Sequence, residues 1–188
     1  MGKGLLRILL VVPCAACIAQ DVRVVDNPIE GSKSVRIAIS AQESYKRADG
    51  SEFTPRVEIR CEATKSGRRW VEAILETGGV WLKTYNRPTL LWGTETRGEG
   101  PSMLETRFDE EKPTKDVWLM FPDGDHLRFV TAGLVRGSKT FVKKALKART
   151  VYIAFPPRGS RLTDVVVSRF DLTGFDAEFE KHPECTVK

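Results

Sequence analysis

Four cysteines, two histidines and a few clustered carboxylates are the side chains of this sequence whose types and spacing could do chemistry. Cys14 and Cys17 stand with two alanines between them, a spacing shared by redox-active thiol pairs, lipid-attachment signals and cleaved leaders. A redox pair belongs between a strand and a helix in a βαβ setting, and nothing of that kind surrounds Cys14. Lys3 and Arg7 instead precede a run from Ile8 to Ala19 that is apolar apart from its thiols and ends in small residues, the order of a secretory leader. The run falls short of the roughly 20 apolar residues that a transmembrane helix needs. Two outcomes stay open. Cleavage after Ala19 makes residues 1–19 a signal peptide, whereas Ala15-Ala16-Cys17 has the form of a lipobox end and would make Cys17 a lipidation point. Either outcome places the chain in the periplasm or outside the cell, touching a membrane only through such an anchor.

In an oxidising space the remaining pair, Cys61 and Cys185, is most simply a disulfide. The two are 124 positions apart. A nucleophilic cysteine would instead need a base beside it, and only His126 and His182 exist to supply one. Asp123, Asp125 and His126 form the densest polar cluster and offer oxygens and an imidazole to a metal. The pattern lacks the later ligands and terminal Glu of a calcium loop, and Pro122-Asp123-Gly124-Asp125 reads as a hairpin turn. Asp109, Glu110 and Glu111 could serve as acid and base if a cleft raised one pKa, yet Lys112 and Pro113 follow at once, as in a solvated loop. The sequence holds no Gly-rich phosphate loop, H-E-x-x-H or G-x-S-x-G. No catalytic residue, metal or cofactor is expected.

Removing 19 of the 188 residues leaves 169, enough for one domain and too few for two. Losing Lys3 and Arg7 lowers the formal charge from +5 by two, to +3. Basic and acidic residues are interspersed rather than concentrated with reading elements, which argues against a nucleic-acid partner.

The elements that must position these residues are mostly strands. Residues 20–31 contain Asn27-Pro28 and no sustained pattern, so they read as a tether before a single β-rich domain over 32–188. Val35–Ile39 and Val57–Cys61 alternate with period two, and Trp70–Leu75 is apolar enough for a buried strand. Gly78-Gly79 predicts a hairpin into Val80-Trp81-Leu82. Met103–Asp109, Val117–Phe121, His126–Val130, Val151–Phe155 and Val165–Asp171 follow as strands. One segment changes period: Phe141, Val142, Ala145 and Leu146 recur on one helical face, with Lys139, Lys143, Lys144 and Lys147 on the other and Ser138 as the expected cap. The lysine face could meet an anionic ligand or membrane surface, but ordinary amphipathic packing requires the same pattern. Thr173-Gly174-Phe175-Asp176 resembles a capping box opening a short terminal helix that Pro183 ends. The predicted fold is mainly β, an antiparallel β-sandwich or open barrel with one amphipathic crossover helix and a short C-terminal helix. Trp70, Trp81, Trp92 and Trp118 are spread over separate elements, as core or rim residues are. The repeated Arg107-Phe108-Asp109 and Arg169-Phe170-Asp171 should point each ring inward and its flanking charges outward.

Ile59-Arg60-Cys61, Thr106-Arg107-Phe108-Asp109, Val117-Trp118, Phe141-Val142 with Ala145-Leu146, Val151–Pro156 and Ser168–Phe175, ending at Cys185, occur in an order that resembles the VasI/TagO family of type VI secretion-associated envelope proteins. The likeness covers approximately Arg56 to Cys185. It departs at Leu119-Met120-Phe121, where a serine commonly follows the tryptophan, and Leu82 to Gly100 has no obvious counterpart. The resemblance implies a small exported accessory protein without established catalytic residues, acting by contact with an envelope protein. Two other functions fit the same residues. A disulfide-held loop, Asn86-Arg87-Pro88 or Pro156-Pro157-Arg158-Gly159, could plug the cleft of a cell-wall hydrolase, or the domain could itself be a hydrolase using Asp109 or His126.

Overall fold

The computed structural model describes residues 20–29, 31–46, 50–77, 100–123, 126–131, 136–155 and 166–187. Its strands are β1 (Asp21–Asn27), β2 (Ser32–Ser40), β3 (Tyr45–Lys46), β4 (Glu52–Phe53), β5 (Arg56–Ala63), β6 (Arg69–Glu76), β7 (Gly100–Phe108), β8 (Thr114–Asp123), β9 (His126–Thr131), β10 (Thr150–Phe155) and β11 (Val166–Asp171). Helix α1 spans Arg136–Ala145 and α2 spans Phe175–Glu180. Nine strands join in one antiparallel sheet in the order β1-β2-β5-β6-β9-β8-β7-β10-β11, and β3 and β4 form a small hairpin. The mainly β fold with an amphipathic helix and a short terminal helix is as the sequence predicts. Its strands belong to one long sheet rather than to two facing sheets.

Alternation explains how one sheet makes a core. Val35, Ile37 and Ile39 of β2, Val57, Ile59 and Cys61 of β5, and Val71, Ala73 and Leu75 of β6 are all buried in one cluster with Val151 and Ile153 of β10. Residues two apart share a face, so these strands turn one side inward, and the sheet curls to cover it. The curl brings the last strand back toward β2. Ala41 bridges Phe170, the Gln42 N–H donates to the Arg169 carbonyl at 2.9 Å, and the Tyr45 hydroxyl bonds the Ser168 hydroxyl. The result is a partly closed barrel with β1 attached outside the seam.

Helix α1 crosses from β9 to β10 past β8 and β7, and it fills the interior. Phe141, Val142 and Ala145 are buried, and the Phe141 ring meets Phe108 edge-on at 5.3 Å and Trp118 at 5.6 Å. Edge-to-face aromatic geometry of this kind is favourable beyond the area it buries. Lys143 and Lys147 face water, as amphipathic packing requires.

Three local expectations are corrected. Residues 21–27 of the expected tether form β1, paired with β2 from Asp21↔Ala38 to Asn27↔Ser32. The Val24-Val25 doublet breaks alternation there, so the strand is made by its partner rather than by its own pattern. Ser138 does not cap α1, which begins two residues earlier. Its buried hydroxyl accepts the Ala73 N–H of β6 at 3.3 Å and pins the helix to the sheet. The capping box before α2 does not form. Gly174 takes the cap position at φ 79° without a side-chain bond, while the Asp171 carboxylate accepts the Thr173 N–H at 2.8 Å. A left-handed φ favours glycine because it has no Cβ.

Candidate functional site

Cys61 lies on the inward face of β5, opposite Val35 and Val71, and it is joined to Cys185 with a Cα–Cα distance of 5.0 Å. The C-terminal segment is also held by its side chains. Phe175 and Phe179 enter the core, Arg69 donates to the Pro183 carbonyl at 2.9 Å and to Thr186 at 3.0 Å, and Lys33 meets Glu184 at 2.8 Å. Burial alone would raise the Glu184 pKa, but the Lys33 hydrogen bond, a backbone hydrogen bond and the Lys33 and His182 charges together hold it below the usual glutamate value. A depressed carboxylate contributes stability above its unfolded pKa and loses it as pH falls through the native one. Unfolding midpoints measured from neutral to strongly acidic pH should therefore fall in the acid limb, and Lys33→Gln should make that limb shallower. An identical limb in the variant would remove this pair from the account.

Asp109 occupies a turn at φ 45°, immediately after β7. Its Oδ1 accepts the Arg149 and Thr150 N–H groups at 3.0 and 2.8 Å, Oδ2 accepts Arg149 at 3.2 Å, and its own N–H donates to the Thr150 carbonyl at 2.9 Å. The carboxylate proposed from sequence as an acid or base thus clamps the start of β10. Asp109→Ala removes those acceptors and places alanine in a left-handed backbone that aspartate tolerates better, so chemical denaturation should show a loss of about 1 to 3 kcal/mol. Asp109→Asn, which keeps one oxygen, should lose less. Equal stability of all three forms would contradict the clamp.

Asp123 and His126 are cross-strand partners where β8 ends and β9 begins, and Asp125 lies outside the described residues. Among the described residues no three His, Cys, Asp or Glu side chains converge as a metal site. His182 stands beside Glu178 at 3.3 Å on α2. Trp118 is fully buried and Trp70 half-buried. The expected leader with Cys14 and Cys17, the hairpin predicted at Gly78-Gly79 with Trp81, Trp92, and both candidate plugs, Asn86-Arg87-Pro88 and Pro156-Pro157-Arg158-Gly159, fall on residues outside the described ones.

The lysine face of α1 borders a recess of about 320 Å³ with Phe108, Asp109 and Glu111. Lys144 is already engaged there, 3.6 Å from Glu111 and over the Phe108 ring at 5.6 Å.

Two surface features were not legible as sites. One is β1, which ends the sheet and is bonded to β2 alone among the described strands. Val24 and Val25 are 48% and 49% exposed on it, beside the Arg23–Asp21–Arg56 ion pairs. The other lies on the convex face of β7, β10 and β11, where the Arg107 and Arg169 guanidinium carbons stand 4.4 and 5.9 Å from the Tyr152 ring centre. The repeated Arg-Phe-Asp pattern does bury both rings, Phe108 and Phe170. Its arginines meet over one tyrosine, and its aspartates bond backbone N–H groups.

The chain matches no protein-family model, no curated protein and no solved structure.

Proposed function

We propose that this chain is an exported envelope accessory domain of the type VI secretion-associated kind, binding a protein partner by strand addition at β1 rather than acting as a catalyst. The observation that carries this reading is the β1 edge, which no second strand pairs among the described residues, with its half-exposed valine pair. An extended partner segment would pair its backbone with β1 and seat alternate side chains beside Val24 and Val25, the general mode of recognition by sheet edges. The Cys61–Cys185 disulfide supports an oxidising compartment. A leader cut after Ala19 would leave β1, which starts at Asp21, whole. The Asp109 carboxylate, spent on two backbone N–H groups, favours contact over hydrolysis by that residue.

A photocrosslinking side chain at position 24 is expected to trap a discrete envelope protein in intact cells. Val25→Lys, which places a charge where natural sheets use one to block edge pairing, should weaken that complex about tenfold. Undiminished binding by a normally folded Val25→Lys variant would exclude β1 as the contact.

A further inference from the structure

The register of the last three strands builds a second surface, separate from β1. Arg107, Tyr152 and Arg169 are direct cross-strand neighbours on β7, β10 and β11, and Glu105, Ala154 and Val167 form the next row. Val151 and Ile153 are fully buried, so the alternating Tyr152 and Ala154 face outward. Ala154 is the small residue between larger neighbours, and the dip it leaves is a recess of about 270 Å³, bounded by Tyr152, Val167, Arg107, Glu105 and Pro113. Val167 is 51% exposed, an apolar wall turned to water.

The charges around this recess are unbalanced. Glu105 is paired with Lys115 at 3.6 Å, and the Glu43 carboxylate accepts the Arg169 backbone N–H at 3.0 Å. Among the described residues neither the Arg107 nor the Arg169 guanidinium is salt-bridged to a carboxylate; both stack toward Tyr152 instead. Stacking on a ring leaves the N–H edges of a guanidinium able to take a carboxylate in paired hydrogen bonds. The lysine recess beside α1 lacks this arrangement, since it adjoins the carbonyl end of the helix, where cations serve the helix dipole.

From this juxtaposition we propose that the β7–β10–β11 face is a binding site for an acidic peptide segment of a protein partner, taking one apolar side chain over Ala154 and Val167 and an adjacent carboxylate on Arg107 and Arg169. The apolar floor and wall select a side chain over a bare anion, and the Glu105 carboxylate at the rim disfavours a multiply charged phosphate. A volume of this order holds about one large side chain and lies at the lower limit of small-molecule sites. The site stands independently of strand addition at β1.

The test is a titration of the oxidised, leader-free chain, followed by amide chemical shifts, with the peptide acetyl-Ser-Glu-Phe-Asp-Ser-amide and its neutral counterpart acetyl-Ser-Gln-Phe-Asn-Ser-amide. Saturable shifts centred on Tyr152, Ala154 and Val167 are expected with the acidic peptide, with affinity about tenfold weaker for the neutral one. Arg169→Gln, at an exposed position, should reduce acidic-peptide affinity by about tenfold and leave the thermal midpoint in place. Ala154→Leu should fill the recess and abolish the shifts. Equal binding of the two peptides, shifts centred elsewhere, or no saturation at millimolar peptide would overturn the proposal. So would shifts at these residues produced only by inorganic phosphate or by vesicles containing anionic lipid. Val25→Lys should leave the titration unchanged, so failure at this face and failure at β1 are separately visible.

Discussion

Reduction of the Cys61–Cys185 bond is expected to remove about 4 to 5 kcal/mol from the stability of the domain, an amount comparable to the whole net stability of many domains. The bond closes a loop of 124 positions, and in the chain-entropy view its effect lies mainly in the unfolded state, which is denied the freedom of an open chain. Denaturant titrations of oxidised and reduced protein should differ in two ways. The midpoint should fall on reduction, and the slope should rise, because an uncrosslinked chain exposes more surface when it unfolds. The Cys61→Ala/Cys185→Ala variant should reproduce both changes. Local disorder should be small, since α2 keeps Phe175 and Phe179 in the core and the tail keeps its Arg69 and Lys33 contacts. Hydrogen exchange that showed α2 fully released at the first loss of the disulfide would contradict this division between chain entropy and packing.

The second large effect is expected at Phe170. Its side chain is fully buried, it pairs across β10 with Val151, and its backbone bridges Ala41 where the curled sheet closes on itself. Phe170→Ala should cost about 3 to 5 kcal/mol by lost burial and an unfilled cavity. The loss has a particular location. Exchange at Gln42, whose N–H donates to the Arg169 carbonyl, should quicken more than exchange in β5, which lies in the middle of one wall. A neutral substitution would mean that β11 presents its other face to the core and that the seam is misplaced.

How far the fold could be read from residues follows from where its determinants lie. β2, β5 and β11 carry their own alternation, and the Lys-rich helix declares its buried stripe, so pattern alone located them. β1 does not: its Val24-Val25 doublet interrupts the period, and only pairing with β2 makes it a strand. Caps failed for a similar reason. Ser138 looks like a helix start, but a buried β6 N–H lies within reach of its hydroxyl, and Asp171 accepts the Thr173 N–H that the Asp176 carboxylate would accept in a capping box. The disulfide is legible because the expected compartment and the cysteine count leave Cys61 and Cys185 as the simplest pair. The Tyr152 recess is not, because Ala154 is an ordinary strand alanine until the register sets it between Glu105 and Val167. The Asp109 carboxylate is conspicuous in the sequence, but the structural task it performs is not. Its oxygens are positioned for backbone N–H groups that sequence places 40 residues away.

The central claim is an exported chain whose end is covalently joined to the sheet that forms its core. Intact mass measurement of protein taken from the native envelope, alkylated without prior reduction, tests this most directly. The account predicts a chain beginning at Gln20, or at an acylated Cys17, with Cys61 and Cys185 unalkylated and linked in one disulfide-bridged peptide. A chain retaining Met1, with alkyl groups on both Cys61 and Cys185, would contradict it.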